Sequence, residues 1–139
     1  MAGVLSFSSG LRNDRSTQIL NRLDDSGVGN AKIKLYTGTK PSTGGAITTQ
    51  VLLGTCDMSN PSGSVSGPTY TANAISDDVS ADNTGTATWC RVLSAADAFV
   101  MDMDVTDTTG AGPCKLTSTS IIAGGKITVA SFTITEGNA

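Results

Sequence analysis

The strongest pattern in the chain is an alternation of apolar and polar side chains in its second half. Apolar residues occupy every second position from Phe99 to Val105, and Asp102 and Asp104 lie between them. Successive side chains of a strand point to opposite faces of a sheet. The alternation therefore predicts a strand with one buried face and one face in water.

Similar patterns bounded by turn residues predict further short strands. They cover residues 32–36, 51–58, 70–76, 86–93, 115–122 and 126–135. Residues 94–97 predict a hairpin loop, and a phase shift near Ala130 and Ser131 indicates a bulge or a crossing between two sheets. About seven short strands separated by turn signals are typical of an antiparallel β-sandwich of the jelly-roll kind. We therefore predict a mostly-β fold with one N-terminal helix.

The helix is predicted over residues 9–26, where the apolar spacing changes to that of a helix. Ser8 or Ser9 can accept the first free N–H groups, and Gly27 can end the helix in the left-handed conformation. With it the chain divides into an N-terminal arm and helix, 1–29, and a β-sandwich, 30–139, within one domain, 1–139.

Charge and apolar character share one side of this helix. At about 100° per residue, Leu11 and Ile19 fall on the half of the wheel that also carries, or borders, Arg12, Arg15 and Arg22. Two interpretations stay open. Either the arginine stems lie along the protein's own sheet with their charged ends in water, or the helix faces a partner.

The charge of the chain is unevenly distributed. Its net charge is −3, yet residues 1–50 hold six Lys and Arg against three acidic residues, and the remainder holds three against nine. An acidic protein is not expected to bind nucleic acid as a whole. The asymmetry reflects either ordinary solvated charge or two faces that meet different partners.

Groups for catalysis are scarce. The chain has no histidine, which excludes Ser-His-Asp and Cys-His arrangements, and it has no phosphate-binding loop motif. We predict a protein that is not an enzyme and that needs no cofactor or small-molecule substrate.

Aspartates offer the best candidate for a metal site. Two sets have the spacing of oxygen ligands for calcium, namely Asp102, Asp104 and Asp107, and Asp77, Asp78 and Asp82. Neither set has the spacing of an EF-hand. We favour the other interpretation, in which these acids keep a sheet face in water, and predict no metal.

The cysteines and the apolar segments bear on the compartment. Cys56, Cys90 and Cys114 form no CxxC pair, and without histidine a structural zinc site is not expected. No secretory signal and no run long enough to span a membrane are visible. We expect synthesis in the cytoplasm, reduced packed thiols and no membrane partner.

Five segments in order and spacing resemble a known family. They are SGLRN (9–13), KIKLYTGTKP (32–41), LLGT (52–55), GTATWCRV (85–92) and IxVxSxTI (127–134). The chain resembles small tailed-phage virion proteins encoded among head genes. It is similar in particular to the jelly-roll cement, or decoration, proteins of phage capsids, such as that of a Bordetella podophage.

The resemblance implies a jelly-roll homodimer on the outer capsid surface of a virion, assembled in the host cytoplasm. There it would cement the shell by bridging major capsid protein subunits. For the interface we select the helix, with Arg12, Arg15 and Arg22 as charge contacts and Leu11 and Ile19 as apolar contacts.

Two other functions remain open from the sequence. One is a tail, neck or fibre component of the same virion, because β-sandwiches recur there. The other is a carbohydrate-binding module that uses Trp89 or Tyr70, although a lone Trp in a sandwich is more often part of the core.

Overall fold

The computed structural model of the chain describes residues 5–137, and over that range one helix precedes ten strands. Helix α1 spans Ser9–Leu23. The strands are β1 Lys32–Tyr36, β2 Leu52–Asp57, β3 Gly63–Ser66, β4 Thr69–Ala72, β5 Gly85–Thr86, β6 Trp89–Leu93, β7 Phe99–Asp107, β8 Cys114–Leu116, β9 Ser120–Ile121 and β10 Val129–Thr135. The predicted mostly-β fold with one N-terminal helix is confirmed. No helix in the described range is long and apolar enough to cross a membrane.

Eight of the strands form one large sheet in the order β2-β1-β6-β7-β8-β10-β4-β3, and β5 pairs with β9. The sheet curls into a sandwich-like, jelly-roll-like shape, and isolated bridges join Met58 to Ile75 and Asp78 to Ile127. Every strand pair is antiparallel except β7 with β8. Parallel neighbours ordinarily need a long crossover, but β8 has only three residues, so the short loop 108–113 can return the chain.

Several predicted strands are confirmed, with altered bounds. In β1, Ile33 and Leu35 are fully buried as the alternation requires. The hairpin at 94–97 forms, with Asp97 at φ 63°. The predicted strand 86–93 is broken at Ala87 and Thr88, whose N–H groups donate to Thr119 and Tyr36 instead of continuing one ladder.

Two strands predicted in the second half of the chain are divided or shortened in the structure. The segment 115–122 forms two short strands, β8 and β9, and β4 replaces the longer prediction at 70–76. Strand β3 was not predicted, because GSVS contains one apolar residue and no alternation to detect. In β10 the register shifts between Val129 and Ser131, which confirms the bulge predicted there.

The core lies on the inner face of the curled sheet and includes the end of the helix. Leu23 of α1 is fully buried in the same cluster as Ile33, Leu53 and Leu116. Tyr70 is also buried, its hydroxyl lies 3.1 Å from the Ser62 hydroxyl, and burial raises the pKa of Tyr70 to about 12. Helix and strands therefore share one apolar interior.

All three cysteines are buried free thiols. Burial raises the pKa of Cys56 to about 11. A hydrogen bond to Cys114, together with burial, raises the pKa of Cys90 well above its usual value. Because the thiolate is the reactive form, Cys56 and Cys90 act as small apolar core side chains.

Helix α1 ends earlier than predicted, at Leu23 rather than 26. Ser8 caps its start, accepting the Leu11 N–H at 3.1 Å, and Asp24 closes its end with an N–H bond to the Leu20 carbonyl at 3.1 Å. Gly27 does adopt the left-handed conformation, but in the turn after the helix, where its N–H donates to Asp24.

The acids at the helix end have a structural use. Carboxylates here oppose the helix dipole, but Asp24 accepts the Ser62 N–H at 3.1 Å from both oxygens and Asp25 accepts the Ala96 N–H at 3.1 Å. The two acids thus tie the end of α1 to two loops of the sheet.

The alternation along β7 breaks at its first residue. Leu93 pairs with Phe99 while Val92 pairs with Met101, so Val100 is an extra residue on β7. A bulge of this kind reverses the faces on one side of it. Phe99, predicted to face the core, is instead 41% exposed, and its ring lies 5.3 Å from the Arg91 guanidinium carbon on the outer face.

Candidate interaction surface

An open groove of about 420 Å³ lies between helix α1 and strands β7 and β10. Its lining combines apolar side chains with charged ones at the rim. The lining residues are Arg15, Gln18, Ile19, Arg22, Val100, Met101, Ile134 and Glu136. This volume is within the roughly 300–1,000 Å³ range of ligand-binding clefts.

Helical spacing places four of these residues on the groove, namely Arg15, Gln18, Ile19 and Arg22. Arg15, Gln18 and Arg22 follow one another at intervals of three and four, which keeps them on one face of α1. Together with the Asp24 and Asp25 contacts, two further contacts hold the helix in position: the Ser16 hydroxyl donates to the Pro68 carbonyl at 2.7 Å, and Leu23 is buried in the core.

The strands supply the floor of the groove. The bulge at Val100 brings it and the adjacent Met101 to the groove together, and Ile134 enters from β10. Met101, Ile134 and the helical Ile19 are partly buried and pack against the core. The floor is therefore continuous with the interior of the protein.

Arg15 is held by two groups of the chain itself. Its guanidinium lies 3.0 Å from the Glu136 carboxylate, whose side chain is 16% exposed, and 4.8 Å from the centre of the Phe7 ring. Arg15 remains 44% exposed despite these contacts. An ion pair this accessible is screened by water and contributes little to stability.

Arg22 is exposed, and within residues 5–137 it makes no hydrogen bond or ion pair. Its charge faces water beside an apolar floor. Such an uncompensated cation is available to a partner in a way that Arg15 is not.

Arg12 and Leu11 occupy different places from the other predicted interface residues. Arg12 is half-buried on the flank toward the sheet, and its Nη1 lies 3.5 Å from the Glu136 carbonyl. Its Nε is buried and has no hydrogen-bond partner in the described part of the chain. Leu11 is 44% exposed, one turn before Arg15. The sheet-packing interpretation thus fits Arg12, and the partner-facing interpretation fits Arg22.

Five groove residues were missed from the sequence: Gln18, Val100, Met101, Ile134 and Glu136. The strand residues lie far from the helix along the chain, so helical periodicity cannot detect them. A signal was available for Gln18, because it lies at helical spacing between Arg15 and Arg22.

No family model, curated protein or solved structure matches the chain. The candidate surface is therefore defined by its geometry and chemistry alone.

The predicted acidic sets do not assemble into a metal site. Asp102 pairs with Arg91, Asp104 pairs with Lys40 at 3.3 Å, and Asp107 accepts N–H groups of its own turn. Hydrogen bonds from the Thr109 hydroxyl and backbone lower the pKa of Asp107. Within residues 5–137 no group of three potential ligands is close enough to hold a metal ion.

Asp102 was predicted to lie in water, and this is wrong: its side chain is only 4% exposed. The loop 38–50 folds over the outer face of the sheet and covers it. Gly44 N–H donates to Asp102 at 3.3 Å, and Arg91 donates to the Gly45 carbonyl at 2.9 Å and to both Asp102 oxygens at 2.8 and 2.9 Å.

Trp89 is buried as predicted, but beneath this loop rather than in the main core. Its ring stacks on Tyr36 at 4.7 Å, and its indole N–H donates to the Thr37 carbonyl at 3.1 Å. Trp89 is 1% exposed and Tyr70 is 0% exposed. Neither ring offers a face to a sugar, so the carbohydrate site envisaged at these residues is absent.

Proposed function

We propose that this protein is a structural virion component that binds the outside of a phage capsid and cements the shell by bridging major capsid protein subunits. The observation that carries the proposal from the structure is the groove beside α1, an apolar floor rimmed by Arg15 and Arg22. Apolar floors with charged rims are typical of surfaces that bind other proteins.

The scaffold around the groove suits a role in surface contact. The helix is fixed to the curled sheet at Ser16, Leu23 and Asp24, so the groove is formed before any partner arrives. A surface organised in advance loses less conformational freedom on binding.

The proposed mechanism is mass action. A protein that binds the assembled lattice, but not its dissociated subunits, stabilises the lattice by the free energy of its binding. If the protein is a homodimer, as the resemblance implies, each dimer presents two such surfaces. Two linked contacts raise the effective concentration of the second, so modest individual affinities suffice.

Removal and re-addition of the protein test this proposal on purified particles. Mature heads should contain it, and heads stripped of it should lose resistance to heat or osmotic shock, which re-addition should restore. Its absence from mature heads would refute the proposal. Immunogold labelling at the tail, neck or fibres instead would favour the alternative location in the virion.

Charge reversal on the groove gives a residue-specific version of the same experiment. We expect the double variant Arg15→Glu and Arg22→Glu to lose most of its binding to stripped particles while remaining folded. The two substitutions replace positive charges at the rim with negative ones, which would repel a capsid surface that the arginines attract. Lys126→Glu is the control for a charge change elsewhere. Lys126 lies before β10, at the opposite end from Ile134, and its accessible ion pair with Asp77, 3.2 Å long, contributes little to stability. Equal binding by the double variant would move the interface to the loops.

A further inference from the structure

The groove carries more positive than negative charge. Three arginines of α1, namely Arg12, Arg15 and Arg22, lie on or beside it, and Glu136 is the one carboxylate in its lining. Glu136 is already engaged, through its side chain with Arg15 and through its carbonyl with Arg12. Within residues 5–137 the arginines left without a carboxylate partner are Arg12, which is half-buried on the flank, and Arg22, which is exposed. Of the two, only Arg22 presents its charge at the open rim.

The floor of the groove favours a ligand with an apolar side chain. Ile19, Val100, Met101 and Ile134 are all only partly buried, so a bound side chain would remove further apolar surface from water. The groove is open to solvent rather than enclosed, and an open groove suits a stretch of polypeptide better than a small molecule.

We propose that the groove binds an acidic segment of a partner polypeptide, with an aliphatic side chain on the Ile19, Met101 and Ile134 floor and a carboxylate on Arg22. The inference deepens the proposed function, on which it rests, by giving the chemistry of the capsid segment recognised. Complementary charge at such a rim chiefly determines the rate and specificity of association, and the apolar contact contributes affinity.

Glu136 has a specific place in this proposal. In the free protein its carboxylate pairs with the Arg15 guanidinium at 3.0 Å, in the position that a partner's carboxylate would take. Removing that charge while keeping the shape of the side chain frees Arg15 for the ligand. Glu136→Gln should therefore bind an acidic segment more tightly than the wild-type protein.

Titration with blocked synthetic peptides tests the proposal without any virus particle. The probe is the acidic peptide GDELLDG, with GKKLLKG as the opposite-charge control and GDESSDG as the control without aliphatic side chains. Methyl NMR signals of Ile19, Val100, Met101 and Ile134 report binding. We expect saturable shifts with the first peptide, little change with the controls, and weaker binding at high salt.

Two variants assign the contacts. Arg22→Glu should weaken binding of the acidic peptide about tenfold, and Glu136→Gln should strengthen it about threefold, as expected for accessible ion pairs of modest energy. Lys126→Glu should leave it unchanged. Amide NMR spectra establish that each variant is folded.

The failures of the two proposals are distinguishable. Absent methyl shifts, equal shifts with all three peptides, or unchanged binding in Arg22→Glu would overturn the acidic-segment inference, whatever the particles show. Conversely, the expected peptide binding by a protein absent from mature heads would overturn the capsid function and keep the assignment of the groove.

Discussion

Replacing Arg91 with methionine should lower the free energy of unfolding by about 3 kcal/mol, because it leaves the Asp102 carboxylate buried without its cation. The Arg91 and Asp102 side chains are 12% and 4% exposed and are joined by two charge-assisted hydrogen bonds. The guanidinium also lies 5.5 Å from the Trp89 ring and 5.3 Å from the Phe99 ring. Chemical denaturation of the two proteins measures the difference.

The same substitution should release the loop 38–50, since Arg91 also donates to the Gly45 carbonyl. Limited proteolysis should cut this loop faster in Arg91→Met than in the wild-type protein. Replacing both partners, with Arg91→Met and Asp102→Leu, should be less harmful than the single change because no charge is then left buried.

Lys32→Met is the matched control for the loss of an ion pair. The pair between Lys32 and Asp97 is far more accessible, at 31% and 64% exposure. Its removal should cost much less, because water screens exposed pairs. Equal stability of Arg91→Met and the wild-type protein would show that the outer-face ion pair does not hold the loop.

Replacing Leu23 with alanine should cost about 2–5 kcal/mol of stability, as expected for a fully buried leucine. Leu23 is the only apolar side chain that α1 buries completely; the other fully buried residue of the helix is Ser16. A helix of 15 residues is marginal by itself in water. We therefore expect α1 to loosen before the sheet does.

Amide hydrogen exchange measures the loosening of α1. In Leu23→Ala, exchange should accelerate in α1 and at Ala95, whose N–H donates to the Leu23 carbonyl at 2.8 Å. Leu11→Ala, on the same helix at a position 44% exposed, should change stability by about 0.5 kcal/mol or less. Protection in α1 that survives Leu23→Ala would mean that other contacts dock the helix.

Local sequence patterns correctly predicted the elements that depend on residues close together in the sequence. The alternation at Ile33 and Leu35 gave β1 correctly, and the Ser8 cap gave the start of α1. Both signals depend on residues a few positions apart. The end of α1 was missed because Asp24 and Asp25 bind to Ser62 and Ala96, which lie far along the chain.

Long-range contacts account for the errors on the outer face. Nothing near Asp102 in sequence indicates that the loop 38–50 covers it, so an alternating strand predicted a solvated carboxylate. The bulge at Val100 likewise depends on the pairing of Phe99 with Leu93, which places Phe99 on the other face. A single sequence contains no local signal for either contact.

Only part of the helical side of the candidate surface could be predicted. Arg15, Ile19 and Arg22 were selected from the helical wheel and do line the groove, whereas Arg12 packs on the flank. Met101 and Ile134 were recognised as strand residues but not as neighbours of the helix. Their meeting with α1 depends on the curl of the sheet, which is a property of the assembled fold.

We propose that the groove beside α1 is the surface that meets the capsid. A density map of mature particles, at a resolution that resolves helices, tests it most directly. We predict that α1 and the groove formed with β7 and β10 face a major capsid protein subunit, with an acidic segment of that subunit against Arg22. A map in which this groove faces solvent while loops meet the shell, or in which the protein lies on the tail, would contradict the account.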